Sequence, residues 1–228
     1  MQVQEQILDA PELHAHRDSN GRKQHNLQLL LASLQNGSQK LREGGAIAFT
    51  SASSGDGAGQ VAKLFGVEMA RHTFRRTLVI DSQRLQTLGV EDYLQMPRNC
   101  HPTNIENLWM LPAKKLRRNG GQELARRSFL MRVGKQGEEI DTGLNSVEAL
   151  KVSFDNILID CRSLKTSTDV AVLARSVDGV VIVVDAGESR NDEILNAQRT
   201  IETAGGNFLG FVLNKRRYPV PEWLYKRL

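Results

Sequence analysis

Short runs of apolar residues recur along the chain, and stretches with helical spacing separate them. Almost continuous apolar character is typical of parallel strands that are buried on both faces. The runs predict six strands, at residues 46–51, 77–81, 107–113, 154–160, 178–186 and 207–214.

Apolar residues at intervals of three and four predict helices between these strands. The predicted helices lie at residues 24–35, 61–72 and 192–204. Strands that alternate with helices predict an α/β fold with a doubly wound, mainly parallel sheet and helices on both of its faces. The stretch 114–145 is the least regular part of the chain and predicts an exposed insertion.

The two ends of the chain differ in composition from its centre. Residues 1–22 are polar without an apolar period and predict a flexible tail, whereas residues 23–218 form the predicted domain. Two prolines stiffen the chain in 219–228, where apolar and basic residues follow, and we predict a C-terminal docking segment for a membrane-protein partner or the bilayer surface. The alternative is that Trp223 folds back onto the domain.

The composition is that of a globular protein, with 40% apolar and 25% charged residues in a chain of 228. These values exclude collagen-like, disordered and disulfide-scaffold classes. No run of residues is long and apolar enough for a membrane span, and the N-terminal residues lack the apolar core of a secretory signal. Cys100 and Cys161 are isolated, so we expect a protein of the reducing cytoplasm.

The net charge of +4 conceals two strongly basic segments. Segment 114–135 carries eight basic residues against one acid, and segment 215–227 carries five against one. Such blocks attract phosphates, anionic lipid or an acidic partner, and the alternative is a solvated basic surface. Aromatic residues do not alternate with the basic ones as single-stranded nucleic acid requires, so no nucleic acid is expected as a partner.

A glycine-rich loop, SSGDGAGQ at residues 53–60, lies between the first predicted strand and the helix after it. This arrangement is typical of phosphate-binding loops, whose backbone N–H groups converge at a helix N-terminus. The usual motif places a lysine and then a serine or threonine at its end. Ala58 and Gly59 stand at those two positions, so the loop lacks the lysine and the magnesium-binding hydroxyl.

From about residue 24 to residue 218, the order of the loop and the strands resembles the cytoplasmic domain of bacterial tyrosine kinases. These kinases belong to the MinD- and ParA-like ATPases and act in capsule and exopolysaccharide synthesis and export. The resemblance implies a P-loop NTPase-like fold. It implies ATP or ADP and Mg²⁺ as cofactors only if the degenerate loop still binds them.

The family's loop reads roughly Thr-Ser-x-x-Pro-Gly-Glu-Gly-Lys-Ser, and this chain departs from it at the proline, the lysine and the serine. The second motif keeps Asp81 but has Gln83 in place of its second acid. Asp160 resembles the Walker B acid, although Cys161, Arg162 and Ser163 follow it where the family has Thr-Pro-Pro. Asn214 with Lys215 resembles the family's adenine-side motif.

The resemblance therefore implies a degenerate nucleotide-binding site and assigns no catalytic residue. Its members are Gly55, Asp56, Gly57, Ala58, Gly59, Gln60, Asp81, Asp160 and Asn214. Asp81 and Asp160 are candidate remnants of a metal site, or aspartates that simply cap the loops after their strands. Lys63, one helical turn after the loop, is expected to point away from it.

Two further features of the kinase family are absent from the sequence. The family's Glu-x-x-Arg-x-x-Arg, which mediates ring assembly, is matched here by His25, Gln28 and Leu31. The C-terminal tyrosine cluster is missing, with only Tyr218 and Tyr225 near the end.

Three hypotheses for the function follow from these motifs. The first is a non-catalytic, pseudokinase-like cytoplasmic component of exopolysaccharide synthesis or export. It would act at the inner membrane with a membrane polysaccharide co-polymerase or export protein. The second is an active ATP-binding tyrosine kinase or ATPase with an unusual loop, and the third is a MinD- or ParA-like positioning protein.

Overall fold

A seven-stranded sheet with helices on both faces forms the centre of the computed structural model. The structure describes residues 32, 43–88, 92–93, 95–96, 98, 100–111 and 142–215. The predicted tail 1–22, the basic segment 114–135 and the docking segment 219–228 lie outside these residues. So does the predicted helix 24–35, apart from Ala32.

All six predicted strands are present, with ends that shift by one or two residues. The strands are β1 (Gly45–Ser51), β2 (Thr77–Asp81), β3 (His101–Pro102), β4 (Leu108–Leu111), β5 (Asn156–Asp160), β6 (Gly179–Asp185) and β7 (Phe208–Asn214). Only β3 was not predicted, because two residues are too few for a periodic signal.

The strand order is β3-β4-β2-β5-β1-β6-β7, and every neighbouring pair except β3–β4 is parallel. The predicted doubly wound α/β fold is therefore confirmed. Strand β1 lies between β5 and β6, and the chain adds β2 and β4 on one side of it and β6 and β7 on the other. The order in which strands are added therefore reverses direction at β1. Open α/β sheets bind their ligands beside such a reversal, at the carboxyl ends of the strands.

Helices cover the two faces of the sheet unequally. The helices are α1 (Ala58–Thr73), α2 (Ser82–Thr87), α3 (Thr142–Lys151), α4 (Asp169–Leu173) and α5 (Asn191–Thr203). The predicted irregular stretch 114–145 extends too far, because helix α3 already begins at Thr142. Val147 and Leu150 bury one side of α3 in the core, which overrides the low helix propensity of Gly143 and Asn145.

The described helices do not include a candidate for crossing a bilayer. The longest of them, α1, has 16 residues. Within the described ranges, no helix reaches the length and apolar character that a membrane span needs.

The core is divided by the sheet into two layers, because successive side chains of a strand point to opposite faces. Ile47, Phe49 and Val181 face α1, whereas Ala48 and Ile182 face the layer formed by α3, α4 and α5. Each large apolar side chain buried in this way stabilises the fold by about 1.5–3 kcal/mol.

Gly66 lets α1 approach the sheet closely. A Cβ atom at this residue would lie 2.6 Å from Val79 Cγ2 and 3.3 Å from Leu158 Cδ1, so the helix backbone packs directly on β2 and β5. This contact fixes the N-terminus of α1 above the carboxyl end of the sheet, where the glycine-rich loop lies.

Candidate functional site

The loop between β1 and α1 keeps the backbone conformation that its glycines predict. Gly55 and Gly57 both have positive φ angles, of 98° and 89°. A Cβ atom at Gly57 would in addition lie 2.5 Å from Asn214 Nδ2. Glycine is required at residue 57 for both reasons.

Asp56 closes this loop on itself and connects it to the last strand. Its buried carboxylate accepts a hydrogen bond from the backbone N–H of Ser53 at 3.0 Å. Its carbonyl accepts one from Asn214 Nδ2 at 2.8 Å, which is how the structure brings Asn214 to the loop. Burial raises the pKa of Asp56 most, the bond from Ser53 opposes this rise, and the charge of Asp185 adds to it.

Two serines attach the loop to neighbouring elements. Ser53 Oγ donates to Glu193 Oε2 at 2.7 Å, and Lys165 Nζ donates to Glu193 Oε1 at 3.0 Å. Ser54 Oγ lies 3.2 Å from Ser163 Oγ. These contacts hold the loop to α5 and to the segment after β5, and none of them involves residues 58–60.

The first turn of α1 faces Asp160. A Cβ atom at Gly59 would lie 2.9 Å from Asp160 Cγ and 3.0 Å from Oδ1, and closer still to Oδ2. The carboxylate therefore occupies the volume into which the side chain of a serine at this position would extend. Ala58 is buried and carries no charge, and Gln60 is exposed.

Asp81 and Asp160 are register partners at the ends of β2 and β5. Asp81 caps α2, since its Oδ1 accepts from the backbone N–H groups of Gln83 at 2.8 Å and Arg84 at 3.2 Å. Within the described residues, no three His, Cys, Asp or Glu side chains are placed to hold a metal ion. The two hydrogen bonds fit the capping interpretation of Asp81, and a remnant metal site at Asp81 and Asp160 stays a prediction.

Asp160 lies in an environment that opposes its negative charge. Burial, followed by the charge of Asp81, raises the pKa of Asp160 from 3.8 to about 6. Lys63 partly lowers this pKa. The charge of Lys63 thus reaches the Asp160 carboxylate, and the expectation that the Lys63 side chain points away from the loop stays a prediction.

An ion pair that sequence reasoning missed connects β5 to α4. Arg162 Nε donates to Asp169 Oδ2 at 3.0 Å, and Nη2 donates to Oδ1 at 3.2 Å. Ser82 Oγ also donates to Asp169 Oδ2, at 3.1 Å. Burial raises the pKa of Asp169, but the hydrogen bonds from Arg162 and Ser167 bring it below its usual value. The sequence indicated this ion pair only through Arg162, which stands where the kinase family has the first proline of its Thr-Pro-Pro motif.

Replacing Arg162 by alanine is expected to lower the free energy of unfolding by about 1–2 kcal/mol, because it leaves the buried Asp169 without its charged partner. Urea denaturation measures the change. Lys165→Ala is the matched control, since Lys165 pairs with Glu193 at the exposed surface, and it should change stability by less than about 1 kcal/mol. Equal effects of the two replacements would contradict the expectation.

Three cations at this edge of the sheet have carboxylate partners. Lys215 Nζ lies 3.0 Å from Asp185 Oδ2, in addition to the pairs that Arg162 and Lys165 form. A phosphate that reached the loop would have to compete with these carboxylates for the three cations. In the described part of the chain, none of these three cations is therefore dedicated to phosphate.

Comparisons of the sequence and of the structure with known proteins both find bacterial tyrosine kinases. No family model matches the chain. Tyrosine-protein kinase CpsD of Streptococcus agalactiae is 26% identical over an alignment of 191 positions, and the matched part covers 76% of this chain and 76% of CpsD. The BceF tyrosine kinase domain superimposes with a TM-score of 0.65 at 18% identity, covering 91% of this chain and 82% of that domain.

The septum site-determining protein MinD of Pyrococcus horikoshii superimposes with a TM-score of 0.53 at 18% identity, covering 80% of this chain and 76% of MinD, and so shares the fold. The predicted resemblance to bacterial tyrosine kinases is confirmed by the similarity to CpsD. The P-loop NTPase-like α/β fold is confirmed with it.

Proposed function

We propose that this chain is a non-catalytic, pseudokinase-like component of exopolysaccharide biosynthesis or export. Its similarity to the CpsD tyrosine kinases supports the pathway, because the bacterial tyrosine kinases that it resembles act in capsule and exopolysaccharide synthesis. The observation that carries the loss of catalysis is the presence of Ala58 and Gly59 at the end of the loop, where the motif has its lysine and its hydroxyl. The Asp160 carboxylate lies against Gly59, so a hydroxyl side chain at this position would require that carboxylate to move.

The missing lysine has a predictable energetic effect. A charge-assisted hydrogen bond to phosphate contributes about 1.5–3 kcal/mol, so its loss weakens nucleotide binding roughly 10- to 150-fold. Removing a cationic group that stabilises the transferred phosphoryl group lowers the rate by about another 10²- to 10³-fold. Both effects act against a kinase reaction.

The residues at this edge do not fit a magnesium–nucleotide complex. Phosphate-binding loops of this type hold the ion through a hydroxyl of the loop and an acid at a strand end. Gly59 supplies no hydroxyl and Ala58 supplies no charge, so of these groups the described site retains only the acids at the strand ends, Asp160 and Asp81. We therefore derive no phosphoryl-transfer step for this chain.

The retained fold serves, in this proposal, as a binding module on the cytoplasmic face of the inner membrane. Its partner would be a membrane polysaccharide co-polymerase or export protein. The basic segments 114–135 and 215–227 support contact with acidic groups of such a partner or with an anionic membrane surface.

An active tyrosine kinase with an unusual loop is the second candidate. The intact positive-φ conformation of Gly55 and Gly57 favours it, because the backbone of the loop is still shaped to surround phosphate. The names of the similar CpsD proteins also favour it.

Calorimetry and a phosphotransfer assay on the full chain distinguish the two candidates. We expect no saturable binding of Mg-ATP at micromolar concentrations and no transfer of phosphate to Tyr218 or Tyr225. CpsD of Streptococcus agalactiae, measured under the same conditions, is the positive control. Micromolar affinity or phosphotyrosine formed by the purified chain would refute the pseudokinase proposal.

A further inference from the structure

The outer edge of the sheet carries an apolar patch at the junction of β7 and α5. Leu195, Phe211 and Leu213 are 51%, 43% and 56% exposed. Among the described strands, β7 pairs only with β6 and is therefore an edge strand. Exposed apolar edge strands are normally covered, since they otherwise promote association with other chains.

Phe211 and Leu213 lie on the same face of the sheet as α5. They are register partners of Ile182 and Val184, which belong to the core layer beneath α5. An irregularity in the pairing of β6 with β7, next to Gly210, brings Phe208 to this face as well. The rings of Phe208 and Phe211 are 4.8 Å apart.

Leu195 borders the same patch from the helix. Ala197 and Ile201 point into the core, and Glu193 points towards the loop at Ser53. Residues of a helix are about 100° apart around its axis, so Leu195 lies roughly 200° from Glu193. It therefore lies on the flank of α5 that faces away from the loop, and since it is also roughly 120° from Ile201, its side chain turns towards solvent.

We propose that residues 219–228 of the same chain cover this patch. The described chain reaches Lys215, whose φ of 54° ends the strand and whose Nζ is held by Asp185 Oδ2 at 3.0 Å. The segment that follows thus begins beside Leu213. It contains five apolar residues, namely Val220, Trp223, Leu224, Tyr225 and Leu228.

Length and charge both favour this occupant. Thirteen residues follow Lys215 and span up to about 43 Å when extended, whereas β7 is only about 23 Å long. Helix α5 contains three acids, of which Glu193 already pairs with Lys165, and one base, whereas the segment carries Lys226 and Arg227 against Glu222. Because the segment is attached to the same chain, its effective concentration at the patch is on the order of millimolar. A separate partner would need a comparable concentration or a higher affinity to displace it.

Fluorescence of Trp223 in the full chain tests the proposal. Trp109→Phe leaves Trp223 as the only tryptophan, and acrylamide quenching then measures its exposure. We expect a shielded Trp223 in this parent chain. Adding Leu213→Glu should raise quenching severalfold and shift emission to longer wavelength. Adding Val152→Glu, at a residue 81% exposed in the turn between α3 and β5, should leave both unchanged.

Several outcomes would overturn the proposal. These are a solvent-exposed Trp223 in the parent chain, equal responses to the two glutamate variants, or shielding that grows with protein concentration and so reports a second copy. Shielding that appears only with vesicles of phosphatidylethanolamine and phosphatidylglycerol would instead assign the segment to the membrane.

Hydrogen exchange gives a second readout that does not depend on the Trp109 replacement. Trp223→Ser in the otherwise unchanged chain should speed exchange of the backbone amides in β7. Unchanged protection of β7 would count against the proposal.

Discussion

Replacing Ala58 by lysine is expected to strengthen ATP binding by about 10- to 150-fold, because it restores one charge-assisted contact to phosphate. The loop need not change shape, since Asp56, Ser53 and Ser54 hold it through contacts that do not involve residue 58. Isothermal titration calorimetry with ATP measures the gain against the unmodified chain.

Gln60→Lys is the matched control for this gain. It adds the same charge to the same helix at an exposed position two residues later. An equal gain from Gln60→Lys would show that net charge alone, rather than contact within the loop, strengthens binding. Adding Gly59→Ser to Ala58→Lys should not increase the affinity further, because the serine side chain meets the Asp160 carboxylate.

Replacing Asp160 by asparagine is expected to raise the free energy of unfolding at pH 7.5 by on the order of 1–3 kcal/mol. The pKa of Asp160 is raised from 3.8 to about 6 in the folded chain, mainly by burial. Between pH 3.8 and about pH 6, Asp160 keeps its proton in the folded chain but has lost it in the unfolded chain. The free energy of unfolding therefore falls as the pH rises through this range. Above pH 6 the ionised carboxylate destabilises the fold by a constant amount, which asparagine removes.

Urea denaturation at pH 4 and pH 7.5 checks this expectation. The gain from Asp160→Asn should be small at pH 4 and large at pH 7.5. Asp81→Asn is the control at the register-partner position, and it should not stabilise the chain, since the Asp81 carboxylate caps α2. Destabilisation by Asp160→Asn at pH 7.5 would contradict the assigned environment.

The strands of the sheet could be predicted because burial on both faces leaves an almost unbroken apolar run, as at 179–185. Strand β3 and helices α2 and α4 are too short to show a period, and they form because tertiary contacts stabilise them. Leu85 and Leu173, for example, lie in the common core. Pattern alone therefore predicted the sheet but not the connections that complete it.

The candidate site was only partly predictable for a related reason. Motif order identified Gly57, Asp160 and Asn214, but no spacing indicates that Asn214 reaches Asp56 across 158 positions. The cap formed by Asp81 and the pair of Arg162 with Asp169 depend on which side chains face each other after folding. The sequence shows which polar groups are present, but only the folded structure shows which of them form hydrogen bonds with each other.

The contact between Gly59 and Asp160 has an evolutionary consequence. A hydroxyl side chain at residue 59 collides with a carboxylate that the fold already holds there, so the two positions are epistatic. A serine at residue 59 fits only if the Asp160 side chain rotates away from it, so a substitution at residue 59 also changes the position of the acid at the end of β5. Substitutions at residues 59 and 160 are therefore expected to be non-additive, and the residue at one position limits which residues the other can accept.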